Sequence, residues 1–227
     1  MNGPLRTPSG TWAVIVANGS SVDAIPLRFW RECEKDASCL LVGTNRALCS
    51  TALQGVRFDA LVMRDTYRQL WHKQEWGIKY HEELWKPCPC WKVGPSHTRT
   101  THCTEFVRMV KGWQFDRNED CNHEAAVIEN ASVVLMAANM AWHWGARRIY
   151  LVGVDYRGRH FKMLEPWESQ SPGWEGQYDK PVQAVKERQF AEAVAAVESH
   201  GGALMNLSRG TRLKAVPLVD VLELIGD

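Results

Sequence analysis

Residues 11–25 read TWAVIVANGSSVDAI. The apolar run from Trp12 to Ala17 has the length and β-branched content of a buried strand. It stops abruptly at Asn18-Gly19-Ser20-Ser21, and an amphipathic segment begins directly behind it. A buried strand that ends in a small polar turn and leads into a helix is the opening unit of a parallel α/β sheet.

The rest of the chain repeats that alternation. Further strands are expected at Cys39 to Gly43, Phe58 to Arg64 and Arg148 to Gly153, with a weaker one at Ala203 to Leu207. Apolar residues at helical spacing place a helix within Val22 to Lys35, with Pro26 early in it. From Ala131 to Trp144 small and apolar residues cover nearly every side, which predicts a buried helix ended by Gly145 in a left-handed cap. A third helix opens at Asp179-Lys180-Pro181 and runs to Gly201-Gly202. The expectation is a single Rossmann-like α/β domain over residues 1–227, a parallel sheet flanked by helices. Residues 66–128, rich in Trp, His and Cys, read as an insertion or a poorly legible segment, and 157–180 as a lid.

With 45% hydrophobic and 23% charged residues, the composition is that of an ordinary globular chain. Its 27 basic and 26 acidic side chains leave a formal charge of +1, so no global field attracts nucleic acid or an anionic membrane. A polyanion would need a local patch. The start, MNGPLRTPSG, has no apolar core of a signal peptide, and the apolar runs are strand-length. A cytoplasmic protein without a membrane partner is expected. Seven cysteines, an odd number in a chain of this size, point to reduced thiols. Of the eleven tryptophans, Trp71, Trp76, Trp85, Trp91, Trp167 and Trp174 lie where no periodicity demands them; filling an irregular layer is the simplest role, stacking on a sugar or base the alternative.

In an open α/β sheet, ligands bind beyond the carboxyl ends of the strands. That rule selects Asn18-Gly19-Ser20-Ser21, Thr44-Asn45, Asp65 and Asp155-Tyr156. Glycine permits a tight turn and close approach, while Asn and Ser offer hydrogen bonds without negative charge near a phosphate. The turn matches neither GxGxxG nor GxxxxGK[ST], so the dinucleotide fingerprint and the P-loop are both absent.

The segments ANGSS, GTN, the helix start at Asn130 to Ser132, IYLVGVD and NLSRGTRLKAVP, in that order, resemble the bacterial sialyltransferases of the Cst type. They are similar also to related Rossmann-like proteins, among them 6-hydroxymethyl-dihydropterin pyrophosphokinases and bacteriophage proteins. The likeness covers roughly residues 12–65 and 130–217. It implies that Asn18 and Asn45 contact the phosphate and sugar of a nucleotide, with Gly19 and Ser20 in the same turn. It also implies that Ser132 faces the phosphate from a helix start, and that Gly153, Asp155 and Tyr156 line the nucleoside pocket. Plain turn and capping roles account for each of these residues singly.

Those transferases carry a histidine general base in a lid, just before the next helix. Here that stretch reads PGWEGQYDKP, and the only histidine between Arg157 and Lys180 is His160. His160 and Asp155 are therefore the candidate catalytic residues, with an ordinary structural histidine as the alternative. The implied activity is glycosyl transfer from a nucleotide-activated donor to an acceptor hydroxyl, with no cofactor and no metal required. The rival on the same scaffold is an ATP-dependent pyrophosphokinase, with magnesium held by Asp65 and Asp155. A hydroxymethylated DNA base is a conceivable acceptor in either scheme, and a non-catalytic nucleotide-binding module is the remaining alternative. The Cys/His-rich stretch, Cys88, Cys90, His97, His102, Cys103, Cys121 and His123, lacks the usual zinc-knuckle spacing, so free thiols are expected there.

Overall fold

A computed structural model of the chain describes residues 8–64, 74–95, 103–110, 113, 115, 125–128, 132–156, 160–170 and 180–225. Eight parallel strands form one sheet: β1 (Trp12–Val16), β2 (Cys39–Thr44), β3 (Ala60–Val62), β4 (Trp91–Pro95), β5 (Glu105–Val110), β6 (Ala125–Ile128), β7 (Arg148–Val152) and β8 (Ala203–Asn206). The order across the sheet is β6-β5-β4-β3-β2-β1-β7-β8, every neighbouring pair parallel. The strand order reverses between β1 and β7, the place where α/β sheets open a crevice at their carboxyl edge.

β1 shows why its sequence makes a central strand. Ala13, Ile15 and Ala17 point into one hydrophobic layer and Val14 and Val16 into the other, all of them buried. A strand covered on both faces needs apolar residues at every position. The first layer is roofed by α3 (Val133–His143) and α5 (Lys180–Ser199), through residues such as Leu135, Met140, Phe190 and Val194. The second holds α1 (Leu27–Lys35), with Phe29, Trp30 and Cys33 turned inward. It also takes Tyr80 from α2 (Gln74–Tyr80), Trp85 from the π-helical turn that follows, Trp167 from α4 (Trp167–Gln170) and Val221 from α6 (Val221–Ile225).

The five strands and three helices expected from the pattern are present, with ends moved by a few residues. Pro26 stands outside α1, as its N-cap, and a 3₁₀ turn (Ser20–Ala24) separates it from β1. The described parts of 66–128 hold α2 and the strands β4, β5 and β6, so the sheet continues through that stretch. Trp85 and Trp167 are buried and Trp76 and Trp91 pack against the cores, which makes these four packing residues; Trp71 and Trp174 lie outside the described residues. No described helix is long and apolar enough to cross a membrane.

Gly145 follows α3 with φ +105°, the left-handed cap expected there, and a Cβ on it would lie 3.0 Å from the carbonyl of Gly10. Gly145→Ala should therefore destabilise the fold by about 1–3 kcal/mol, combining backbone strain with that contact. Chemical denaturation of the two proteins measures it, and equal stability would contradict the packing described.

Candidate functional site

Two turns meet where the strand order reverses. After β1 the chain passes through Asn18 and Gly19 into the 3₁₀ turn; after β7 it passes through Gly153 to Asp155 and Tyr156. The Gly19 N–H donates to the Gly153 carbonyl at 2.8 Å. A Cβ on Gly19 would lie 2.5 Å from that same oxygen, and one on Gly153, whose φ is +78°, would lie 2.8 Å from the Ala17 carbonyl. Both glycines are thus required by backbone-to-backbone contact.

Asp155 locks the pair together. Its buried carboxylate accepts from the Ser21 N–H at 2.8 Å, from the Ser21 hydroxyl at 2.5 Å and from the Ser20 hydroxyl at 3.3 Å. Its backbone carbonyl accepts from the Arg212 N–H at 2.9 Å. The geometry makes Asp155 a brace between the turns, with Ser20 and Ser21 as its ligands. Tyr156, at φ +49°, turns its ring edge-on to Phe190 of α5, 6.0 Å away. Ser132 is the N-cap of α3, its hydroxyl 3.5 Å from the Leu135 N–H. Asp65 and Asn130 lie outside the described residues.

Asn18 and Asn45 stand two residues beyond the paired Val16 and Gly43, side by side at the carboxyl edge. The side-chain oxygen of each is buried and has no hydrogen-bond partner among the described residues. Asn45 adopts φ +44°, a conformation Asn tolerates better than most residues. Its N–H donates to the Val62 carbonyl at 3.0 Å, and its carbonyl accepts a short hydrogen bond from the Tyr80 hydroxyl. A buried oxygen without a partner costs free energy, so these two positions ask for an explanation.

The segment His160 to Leu164 lies against the turn after β1 and the chain that follows β2. Gly19 pairs with His160 and Ser50 with Met163 in isolated antiparallel bridges. The Asn18 carbonyl accepts from the Phe161 N–H at 2.9 Å and from Nδ1 of His160 at 3.0 Å. Since a carbonyl can only accept, Nδ1 carries the proton and Nε2 is the acceptor of the neutral ring. Burial, and then the nearby Arg46 guanidinium, push the His160 pKa down to about 4, the bond to Asn18 opposing them. The structure therefore brings His160 into the same cleft as Asn18 and keeps it neutral at physiological pH.

Sequence reasoning missed the cations. Arg46 follows Asn45 directly and is buried, with its pKa lowered to about 10 by desolvation. Arg64 follows β3, and Lys186 of α5 lies near enough that, after burial itself, Arg64 lowers its pKa. The signal for Arg46 was present in the tetrad GTNR, where a cation beside a strand-end asparagine marks a place for an anion. Among the described residues no group of three or more His, Cys, Asp or Glu could hold a metal ion, and six cysteines are free thiols, four of them buried. His97, His102, Cys121 and His123 lie outside the described residues.

No protein-family model and no curated protein matches the chain. Solved structures do. The MAf glycosyltransferase from Magnetospirillum magneticum AMB-1 superposes on 95% of the chain with a TM-score of 0.57 at 15% identity. The chain corresponds to 34% of that protein's length. The sialyltransferase CstII from Campylobacter jejuni, in complex with the substrate analogue cytidine-5′-monophosphate, covers 95% of the chain and 88% of its own, with a TM-score of 0.49 at 11% identity. The chain has the Rossmann-like α/β fold found in the MAf glycosyltransferase.

Proposed function

We propose that the protein transfers a glycosyl group from a nucleotide-activated donor to an acceptor hydroxyl, in the cleft at the carboxyl ends of β1, β2 and β7. The observation that carries this reading is the pair of buried side-chain oxygens of Asn18 and Asn45, neither with a hydrogen-bond partner among the described residues, beside the buried Arg46. Carboxamides can offer either an acceptor or a donor, which suits ribose hydroxyls and phosphate oxygens alike. Arg46 supplies a fixed positive charge, with Arg64 and Lys186 near the same edge, and the α3 start at Ser132 adds the positive end of a helix. In this reading no metal is needed, because protein cations stand ready for the charge that grows on the leaving phosphate.

Of the two carboxylates that the magnesium-dependent alternative would use, Asp155 is engaged with Ser20 and Ser21, and Asp65 lies outside the described residues. In the proposed reaction the Nε2 lone pair of His160 accepts the proton of the acceptor hydroxyl as its oxygen bonds to the anomeric carbon. The bond from that carbon to the donor phosphate breaks, and the nucleotide leaves with the electron pair.

A thermal-shift panel of CMP, UMP, UDP, GDP, ADP and ATP, with and without magnesium, tests the reading. A metal-free rise in Tm with one product nucleotide is expected, since a ligand bound only to the native state stabilises it; no shift across the panel would overturn the proposal. Asn18→Ala and Asn45→Gly, the second chosen to preserve the left-handed backbone, should each weaken that nucleotide by about 1–3 kcal/mol. Wild-type affinity in either folded variant removes that residue from the site.

Two pH measurements follow from the low pKa of His160. As the base, it places the acid limb of kcat/KM near 4 instead of near the ordinary value of 6.5. Stability also changes. Between those two values the unfolded chain binds the proton and the native one does not, so stability is full above 6.5 and falls as pH drops toward 4, by up to about 3 kcal/mol. In His160→Gln this component should vanish, which denaturation at pH 7 and pH 4.5 will show; an unchanged pH dependence would place the ring in a solvated setting.

A further inference from the structure

At the opposite, amino edge of the sheet lies a cleft of about 590 Å³, lined in part by Cys33, Cys39, Asp59, Cys88 and Pro89. Within the turn that leads into β4, the sulfurs of Cys88 and Cys90 are 3.1 Å apart, inside the contact distance of two unbonded sulfur atoms. The intervening Pro89 has a fixed φ, which limits the ways the two thiols can separate. Lys92, itself buried, donates from Nζ to the carbonyls of Cys88 at 2.5 Å and of Cys90 at 3.4 Å, so the turn is tied down at both cysteines. The two thiols differ in access: Cys88 is half-buried and lines the cleft, while Cys90 is buried behind it.

We propose that Cys88 and Cys90 form a redox-active dithiol, in which Cys88 attacks a small disulfide such as oxidised glutathione and Cys90 resolves the adduct. In the first step the Cys88 thiolate attacks one glutathione sulfur, the glutathione S–S bond breaks, and one glutathione thiolate leaves and takes up a proton. In the second, Cys90 loses its proton and attacks the Cys88 sulfur, the mixed disulfide breaks and the second glutathione leaves. Two protein thiols are oxidised and one glutathione disulfide is reduced to two thiols. The environment favours this order. The hydrogen bond from Cys90, and more weakly the Lys92 charge, hold the Cys88 thiol below its usual pKa against the effect of burial. Its partner is displaced upward by the same hydrogen bond and by burial, and a thiolate is the attacking form. A ring closed through one intervening residue is small and strained, and strained disulfides are the readily reduced ones.

The test uses the full chain under native conditions. The protein is equilibrated with defined mixtures of oxidised and reduced glutathione, quenched in acid, alkylated, and mapped by peptide mass spectrometry. The 88–90 peptide should lose the mass of two hydrogens and both its alkylation sites, and dithiothreitol should restore them. Cys90→Ala should stop at the first step, with one glutathione on Cys88, whereas Cys88→Ser should leave Cys90 reduced. The proposal is overturned if both thiols stay alkylatable in oxidised glutathione, if Cys33 and Cys39 are oxidised in preference, or if Cys90 reacts equally without Cys88. Should a variant fail to fold, the mapping of the wild-type chain decides by itself.

Discussion

The carboxylate of Asp155 and the two serines it holds are the constraint on which the site depends. The sheet by itself places β1 and β7 side by side, yet it leaves their following loops free to diverge. Three hydrogen bonds from Ser20 and Ser21 join those loops, and the Gly19–Gly153 backbone bond closes them against each other. Everything above this joint inherits its position. Asn18 projects from the residue before Gly19, and its carbonyl is the acceptor on which His160 and Phe161 dock. Asp155, a candidate ligand contact in the sequence, thus has a structural duty as the brace between the turns.

A second constraint is electrostatic. Burying Arg46 in a low-dielectric cleft costs free energy that only an anion or a well-placed set of acceptors can offset. The same charge disfavours protonation of His160, so the cleft holds its histidine neutral and its arginine charged. That division suits a site which binds a polyanionic donor and accepts a proton from a neutral hydroxyl. Were His160 the base, so low a pKa would leave it little intrinsic strength, and the rate enhancement would have to come from stabilisation of the leaving phosphate.

The fold was largely legible because both-face burial writes itself as unbroken apolar strands, as in Ala13 to Val16 and Ile149 to Val152, and Gly145 marked its helix end. The strands β4, β5 and β6 were not legible. β4 carries Trp91 and Lys92 beside Val93 and Gly94, and Lys92 is buried because it ties down the Cys88–Cys90 turn, so the segment lacks any clean apolar period. At the site, rules about strand ends selected Asn18 and Asn45, and the reading of the lid selected His160, whose ring lies against the Asn18 carbonyl. They overlooked Arg46 and Tyr80, because what matters in these residues is a relation across the sheet: a guanidinium beside an imidazole, and a phenol beneath the Asn45 carbonyl.

Net charge was the least informative quantity of all, and the structure shows why. A formal charge of +1 is a sum over the whole chain and does not tell where single charges gather. The carboxyl edge gathers Arg46, Arg64 and Lys186, together with the N-terminal end of α3. The cleft at the amino edge is lined by Glu34, Asp36 and Asp59 against the single guanidinium of Arg57. The basic groups of the carboxyl edge lie together whatever the sum comes to, so a nearly neutral chain can still carry a local patch suited to an anion.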